Sequence, residues 1–341
     1  AVGMNSARLA LIDELVNADI AAKKLPGAVV LVGHLGKIVF RKAYGNRSLV
    51  PTVEPMTVDT IFDVASLTKP VATATSIMIL VERGQLRLSD TVGKFIPEID
   101  DEQAKRVTVL QLLTHTSGYA PDFDLSEKWT GREGMLAALK KEKLKSPQGT
   151  RFVYSDIGFI VLGEILTRFA PLSGAEAAAA NSSSPLSADA VPFERFVKNS
   201  ILARIKMPRS GTVRQSLGKV VFRSYEIRGE VAPTENMCGQ QSYLGGLPDT
   251  DCDPRYHILR GQVHDPTASR MNGIAGHAGL FSTADDLARY CQMILNGGAV
   301  ARQKVKGKRQ NPEARILSTQ TIARMTQPYV VSETGETRGL G

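Results

Sequence analysis

The sequence predicts an α/β protein in which an antiparallel sheet is flanked by helices and is interrupted by a mostly helical region. Three observations support this fold class. Residues 5–24 carry apolar side chains at helical spacing, and residues 28–44 contain two β-branched runs around a glycine-containing turn. Residues 71–169 then show mainly helical patterns. The sheet must gain further strands from elsewhere in the chain, because two antiparallel strands are not stable alone.

The first elements are a helix and a hairpin. The helix over residues 5–24 is expected to bury one stripe of apolar side chains, namely Leu9, Ile12, Leu15, Val16 and Ile20. Pro26, followed by a glycine, ends this helix. Residues 28–44 are then predicted to form the hairpin, with its turn at 33–37, since a short Gly-containing connection between β-branched runs is typical of one.

Helices are predicted for most of the remaining chain. The most apolar one covers residues 71–81 and stops before Gly84. Further helices are expected within or over residues 84–97, 107–113, 133–143, 154–169, 282–290 and 318–325, and no strand is expected after the last one. This order assigns residues 1–65 and 275–341 to a sheet-containing region, and residues 66–274 to a mostly helical one.

Two stretches lack regular patterns. Residues 171–192 are rich in alanine and serine and are interpreted as a flexible surface insertion. Residues 205–270 are rich in glycine, proline and aspartate, and long irregular segments of this kind often shape a binding cleft.

The composition is that of a folded globular protein, with 43% hydrophobic residues in a chain of 341. Its net charge of +8 owes much to residues 302–309, which contain no aromatic side chain, so we expect a solvated loop there and no nucleic-acid partner.

No run approaches the ~20 apolar residues that cross a bilayer, so no membrane span is expected. The start lacks a signal peptide, which is compatible with a cytoplasmic protein and, as we favour, with a periplasmic or secreted one after signal removal. The oligomeric state stays open.

Cysteine and histidine spacings favour neither a disulfide framework nor a metal site. The three cysteines contain no C-x-x-C pair, so free thiols are the default, while a bridge between Cys238 and Cys252 would be compatible with export. The five histidines are scattered without ligand spacing, and we expect no metal and no cofactor.

Ser66 and Lys69 form the first candidate catalytic pair. Residues three apart on a helix are neighbours, so the Lys69 amine can reach the Ser66 hydroxyl and act as its base if burial keeps the amine neutral. Free N–H groups at the helix start near Ser66 would suit an oxyanion. The alternative interpretation of Ser66 is a helix N-cap. A second S-x-x-K pattern at 216–219 lies in a polar stretch where no catalysis is expected.

Four motifs taken in order resemble the serine β-lactamase and penicillin-binding-protein superfamily, and most of all its class C-like branch, which includes esterases and D-amino-acid peptidases. They are Ser-Leu-Thr-Lys at 66–69, Leu-Leu-Thr-His-Thr-Ser-Gly at 112–118, Tyr-Ser-Asp-Ile-Gly-Phe at 154–159 and Gly-His-Ala-Gly-Leu-Phe-Ser-Thr at 276–283. The resemblance extends from about residue 20 to the end of the sequence. It implies a β-lactamase/transpeptidase-like fold with a site between its two regions.

The resemblance also implies the roles of three residues. Ser66 matches the acyl-accepting serine, Lys69 the lysine one helical turn later, and Tyr154 the tyrosine that relays the serine proton as phenolate or as partner of the lysine. A phenol and an amine together can form a proton shuttle, which agrees with this assignment. The alternative for Tyr154 is a tyrosine in the core or at a strand end with its hydroxyl hydrogen-bonded.

Asp156 departs from the pattern, because the family usually has asparagine there. An ionised carboxylate cannot donate to a substrate carbonyl as an amide does, which weakens amide-based recognition of β-lactams. If Asp156 touches Lys69 it would hold the amine in its charged form and shift the base role towards Tyr154. The alternative is an acid that stabilises the start of the 154–169 helix.

The third family motif, Lys or His followed by any residue and Gly, is the second departure. His277, Ala278 and Gly279 have these letters but precede the helix that the motif should follow. We therefore expect the true motif and the C-terminal strands to lie beyond Gly341, with residues 338–341 resembling the start of such a strand. His277 could still face the cleft and bind substrate, or be a loop histidine without a role.

The predicted function is a serine hydrolase that acts through an acyl-enzyme. Its favoured substrate is a carboxylic ester with a small acyl chain, because Asp156 weakens the argument for amide recognition. A β-lactam or a D-amino-acid peptide is the alternative substrate. A different class remains open, in which the fold binds peptidoglycan-like or acyl ligands without turnover.

Overall fold

The structure is a computed structural model that describes residues 2–169, 191–216, 219–221, 230–238, 253, 257–300, 314–332 and 335–341. The predicted insertion at 171–192 lies outside these residues, except for its last two, which begin a helix. The basic segment at 302–309 and Cys252 also lie outside them.

The described chain begins with a helix and four strands, continues through a run of helices, and then returns to short strands interspersed with helices. The α-helices are α1 (Ser6–Ala21), α2 (Thr75–Glu82), α3 (Val92–Phe95), α4 (Glu102–Arg106), α5 (Val109–Leu113), α6 (Gly131–Lys141), α7 (Asp156–Phe169), α8 (Val191–Val197), α9 (Pro266–Arg270), α10 (Ala284–Leu295) and α11 (Thr319–Thr326). The strands are β1 (Gly27–His34), β2 (Lys37–Ser48), β3 (Glu54–Pro55), β4 (Phe62–Asp63), β5 (Gly211–Thr212), β6 (Arg214–Ser216), β7 (Lys219–Val221), β8 (Glu235–Asn236), β9 (Ile258–Leu259), β10 (Leu280–Ser282), β11 (Tyr329–Val330) and β12 (Thr337–Arg338). The predicted helices are thus confirmed to within a few residues.

The predicted hairpin is confirmed as the antiparallel pair β1 and β2, to which β3 adds a short third strand. Its register runs from Gly27 opposite Gly45 to His34 opposite Lys37. The helix α1 packs against β2, and α10 packs against β1. The predicted buried stripe of α1 is wrong in part, because no residue of this helix is fully buried and Leu15 is 69% exposed. One small sheet offers too little surface to cover the whole stripe.

A second small sheet joins distant parts of the chain. Its central strand β10 pairs antiparallel with β4 on one side and with β5 on the other. The remaining strands form separate pairs, β6 with β7, β8 with β9 and β11 with β12. The last pair contradicts the prediction that no strand follows the final helix. Strands of two residues are too short to show an alternating pattern in sequence.

The helices α2, α5 and α7 form the centre of the main core. Their largest fully buried side chains include Ile77, Met78, Leu112 and Phe159. On α7, the buried carboxylate of Glu164 pairs with Arg132 of α6 at 2.5 Å and with Arg168 at 2.7 Å. The pair with Arg132 links α7 to α6, whereas the pair with Arg168 lies within α7. None of the described helices is long and apolar enough to cross a bilayer.

The cysteines differ from the default expectation. Cys238 is disulfide-bonded, whereas Cys291 is a free, exposed thiol. The prediction that all three thiols are free is therefore wrong for Cys238.

His115 connects the end of α5 to the start of α7. Its backbone is left-handed with φ at 56°, and its Nδ1 accepts from the Ser155 backbone N–H at 3.0 Å. Burial, and next the nearby Lys69 cation, lower the pKa of His115 to about 4. The folded chain therefore keeps this imidazole neutral, which preserves the bond from Ser155.

We predict that His115 makes the protein less stable in mild acid. Its pKa is about 4 when folded against 6.5 for the free side chain, so the unfolded state takes up the proton first as the pH falls. The free energy of unfolding should decrease by roughly 3 kcal/mol between pH 6.5 and 4 because of this group. Denaturant titrations at several pH values measure the change. The variant His115→Asn retains an acceptor for Ser155 and cannot titrate, so its pH dependence should be flatter, and equal slopes would contradict the assignment.

Candidate active site

Ser66 lies in a turn that the structure holds in an uncommon conformation. It occupies a 3₁₀-helix, Ala65–Leu67, directly after Ala65, whose φ of 45° is left-handed. The Asp63 carboxylate accepts from the Ala65 N–H at 2.9 Å and from the His264 N–H at 2.9 Å, which fixes this turn. Ser66 is exposed and lies inside the helix, whose N-cap residue is Val64. The alternative interpretation of Ser66 as an N-cap is therefore wrong.

Lys69 lies directly beneath Ser66 at the start of a π-helix, Lys69–Ala74, that leads into α2. Only 1% of its side chain is exposed. Its Nζ donates to the Ser66 Oγ at 3.0 Å and to the His277 carbonyl at 3.3 Å. The same nitrogen lies 2.5 Å from Oδ1 of Asp156. The structure thus brings Ser66 and Lys69 together and places a carboxylate beside the buried amine.

Asp156 is the first residue of α7, so it also lies where an acidic side chain complements the helix dipole. Its backbone N–H donates to the Pro121 carbonyl at 2.7 Å, and 20% of its side chain is exposed. The role suggested for Asp156 depended on contact with Lys69, and this contact is present. Asp156 thus both begins the helix and contacts the lysine.

Tyr154 contacts Lys69 through its ring. The Lys69 Nζ lies 4.6 Å from the ring centroid, and the His115 ring stacks on the Tyr154 ring at a centroid distance of 4.5 Å and an interplanar angle of 27°. The Tyr154 side chain is 43% exposed, and its hydroxyl has no hydrogen-bond partner among the described residues. Sequence reasoning missed His115 as part of this site. Its only signal was its position in the motif at 112–118.

The segment 277–279 reaches the site through its backbone. The His277 side chain is fully buried, with Nε2 donating to Oδ1 of Asp265 at 2.7 Å. Ala278 and Gly279 are buried as well. The suggestion that the His277 side chain faces the cleft is therefore wrong for this structure, because Asp265 holds the imidazole in the interior. The contact with Lys69 comes from the carbonyl instead.

Close packing of glycines fixes where this segment lies. A side chain on Gly276 would place its Cβ 2.0 Å from the Phe159 carbonyl oxygen and 3.0 Å from Gly163 on α7. The Gly276 carbonyl accepts from the Thr73 hydroxyl at 2.6 Å. The backbone of the segment is thus pressed between α7 and the π-helix that begins with Lys69.

The electrostatics of the site are those of one cation compensated by one adjacent carboxylate. Asp265 lies farther back, and although burial alone would raise its pKa, the His277 ring brings the pKa of this carboxyl below its usual value. Within the described ranges, no three His, Cys, Asp or Glu side chains are arranged to hold a metal ion. The arrangement is suited to nucleophilic chemistry at an exposed hydroxyl beside a buried amine.

Comparison with known proteins gives the family. The Beta-lactamase family model matches residues 12–341. A Bacillus subtilis protein named N-acetylmuramyl-L-alanine amidase is 28% identical over 312 residues, which cover 86% of this chain and 64% of that relative. The chain thus spans about two thirds of the length of the curated relative.

Solved structures agree on the fold. An octameric penicillin-binding protein homologue from Pyrococcus abyssi superposes with a TM-score of 0.64 at 24% identity, covering 99% of this chain and 64% of that one. A class C β-lactamase from Rhodobacter sphaeroides gives a TM-score of 0.60 at 18% identity, covering 93% and 70%. Both the resemblance and the fold class predicted from the motifs are confirmed. This chain belongs to the Beta-lactamase family.

Proposed function

We propose that this chain hydrolyses its substrate through an acyl-enzyme formed on Ser66. One observation carries the proposal, namely the exposed Ser66 hydroxyl at 3.0 Å from the buried Lys69 amine. The Ser66 oxygen attacks the substrate carbonyl carbon, and the alcohol or amine leaves with a proton. Water then attacks the acyl-serine ester and releases the acid.

The proton of Ser66 passes to the pair formed by Lys69 and Tyr154. The Asp156 carboxylate at 2.5 Å favours the ammonium form of Lys69, so the acceptor is Tyr154 in its phenolate form, which takes the Ser66 proton and returns it to the leaving alcohol or amine. Its oxygen approaches the serine when substrate binds, since catalytic hydrogen bonds often form only in the complex. The Ser66 N–H, in the first turn of its 3₁₀-helix, donates to the developing oxyanion.

We propose a carboxylic ester of small acyl chain as substrate. Asp156 occupies the position where an amide could donate to a substrate amide, and a carboxylate has no N–H to offer. A D-amino-acid peptide or a β-lactam is the second candidate, supported by the similarity to a relative named as an amidase. The third possibility is a binding protein without turnover. Acylation of Ser66 is expected for an esterase, a peptidase or a β-lactamase, but not for such a binding protein.

We predict that Ser66→Ala abolishes acylation. Loss of the attacking oxygen should lower turnover of p-nitrophenyl acetate and of a chromogenic cephalosporin by roughly 10³-fold or more. Intact-mass spectrometry should show the acyl adduct on the wild type only. Ser216→Ala, in the other S-x-x-K pattern, is the matched control and should behave as wild type. A wild-type protein that neither turns over these probes nor forms an adduct would leave the binding interpretation.

We predict that Asp156→Asn shifts preference towards amide-type substrates. The variant gains a side-chain N–H that can donate to an amide carbonyl, and it loses the charge next to Lys69. The rate of cephalosporin acylation relative to ester acylation should increase roughly tenfold, as one additional hydrogen bond to the substrate allows. Stopped-flow acylation rates measure this ratio, and Asp285→Asn, which removes a carboxylate from the surface pair with Arg41, controls for charge. An unchanged or lower ratio would remove the argument for ester preference.

A further inference from the structure

A buried pair of side chains lies behind Lys69. Asp265 accepts from the His277 imidazole at 2.7 Å, and 0% of the His277 side chain is exposed. The other ring nitrogen, Nδ1, has no hydrogen-bond partner in the described part of the chain. The polar anchoring of the imidazole therefore comes from Asp265.

The same residue presents its carbonyl to the catalytic amine. The His277 oxygen accepts from Lys69 Nζ at 3.3 Å. Gly276 precedes His277, and Gly279, with φ at 112°, follows two residues later. Glycine leaves the backbone freer than other residues do, so an anchored side chain between two glycines restricts the direction of the carbonyl.

The short helix α9 connects this pair to the other partner of Lys69. Asp265 is its N-cap and accepts from the Ala268 N–H at 2.7 Å. Thr267 donates to Oδ2 of Asp122 at 2.8 Å. The neighbouring carbonyl, that of Pro121, accepts from the Asp156 N–H at 2.7 Å. Bonds from one short helix thus lead to both members of the Lys69–Asp156 ion pair.

We propose that Asp265 and His277 are positioning residues that hold Lys69 in place against Ser66. The proposal rests on the acyl-enzyme function above and extends it to two side chains that lie behind the reacting groups. Neither is expected to touch substrate, since His277 is fully buried and acts through its carbonyl. Their loss should therefore slow acylation, which depends on the position of the amine, and leave substrate affinity little changed.

The test compares two substitutions of similar size at one position. His277→Leu removes the donor to Asp265, whereas His277→Gln keeps a side-chain N–H that can reach it. We expect the acylation rate of the Leu variant to fall by roughly 10- to 100-fold with little change in substrate dissociation constant. The Gln variant should recover most of this loss. Glu235→Gln changes a second His–carboxylate pair, with His264, and should acylate as wild type.

The outcomes separate this proposal from the function on which it rests. A Leu variant that acylates at the wild-type rate would overturn it, as would Leu and Gln variants that are slowed equally and in proportion to their loss of thermal stability. If the wild type forms no acyl-enzyme, the proposed function fails, and crystal structures of the two variants still decide on positioning. Lys69 Nζ should move away from Ser66 in the Leu variant and stay in place in the Gln variant.

Discussion

One buried ammonium group sets the requirements for the rest of the site. Moving a charge into the protein interior costs several kcal/mol unless it is paired and hydrogen-bonded. The chain compensates Lys69 with the Asp156 carboxylate, the His277 carbonyl and the face of the Tyr154 ring. These groups come from segments that are far apart in sequence. The fold therefore has to bring two segments to Lys69: the start of α7 with the residues just before it, and the loop that leads into β10.

The local elements could be predicted from the sequence because each one is determined mainly by residues within it. The hairpin at 27–48 follows from two β-branched runs and a glycine turn, and the neighbourhood of Ser66 and Lys69 follows from helical spacing. The motif order also identified the family before any geometry was known. These patterns are visible in the sequence because they involve residues that are only a few positions apart.

Contacts between distant segments could not be read in this way. The sequence gives no indication that Asp265 bonds His277 or that His115 stacks on Tyr154, because neither pair shares a local period. The left-handed Ala65 was equally hidden, since alanine carries no preference for that conformation. The exposure of Leu15 has a related cause. An apolar stripe predicts that a helix is amphipathic, but it does not predict how large a surface the rest of the fold offers to cover that stripe.

The contact between Gly163 and Gly276 has a consequence for how this protein can change over evolutionary time. Two main chains in direct van der Waals contact have a separation that no choice of core side chain can alter. Substitutions that swell or shrink the surrounding interior would be absorbed elsewhere, while the spacing between α7 and the loop that faces the lysine stays constant. Drift in the hydrophobic core would therefore leave the geometry of the site unchanged, provided that position 276 stays glycine, where a Cβ would lie 2.0 Å from the Phe159 carbonyl oxygen.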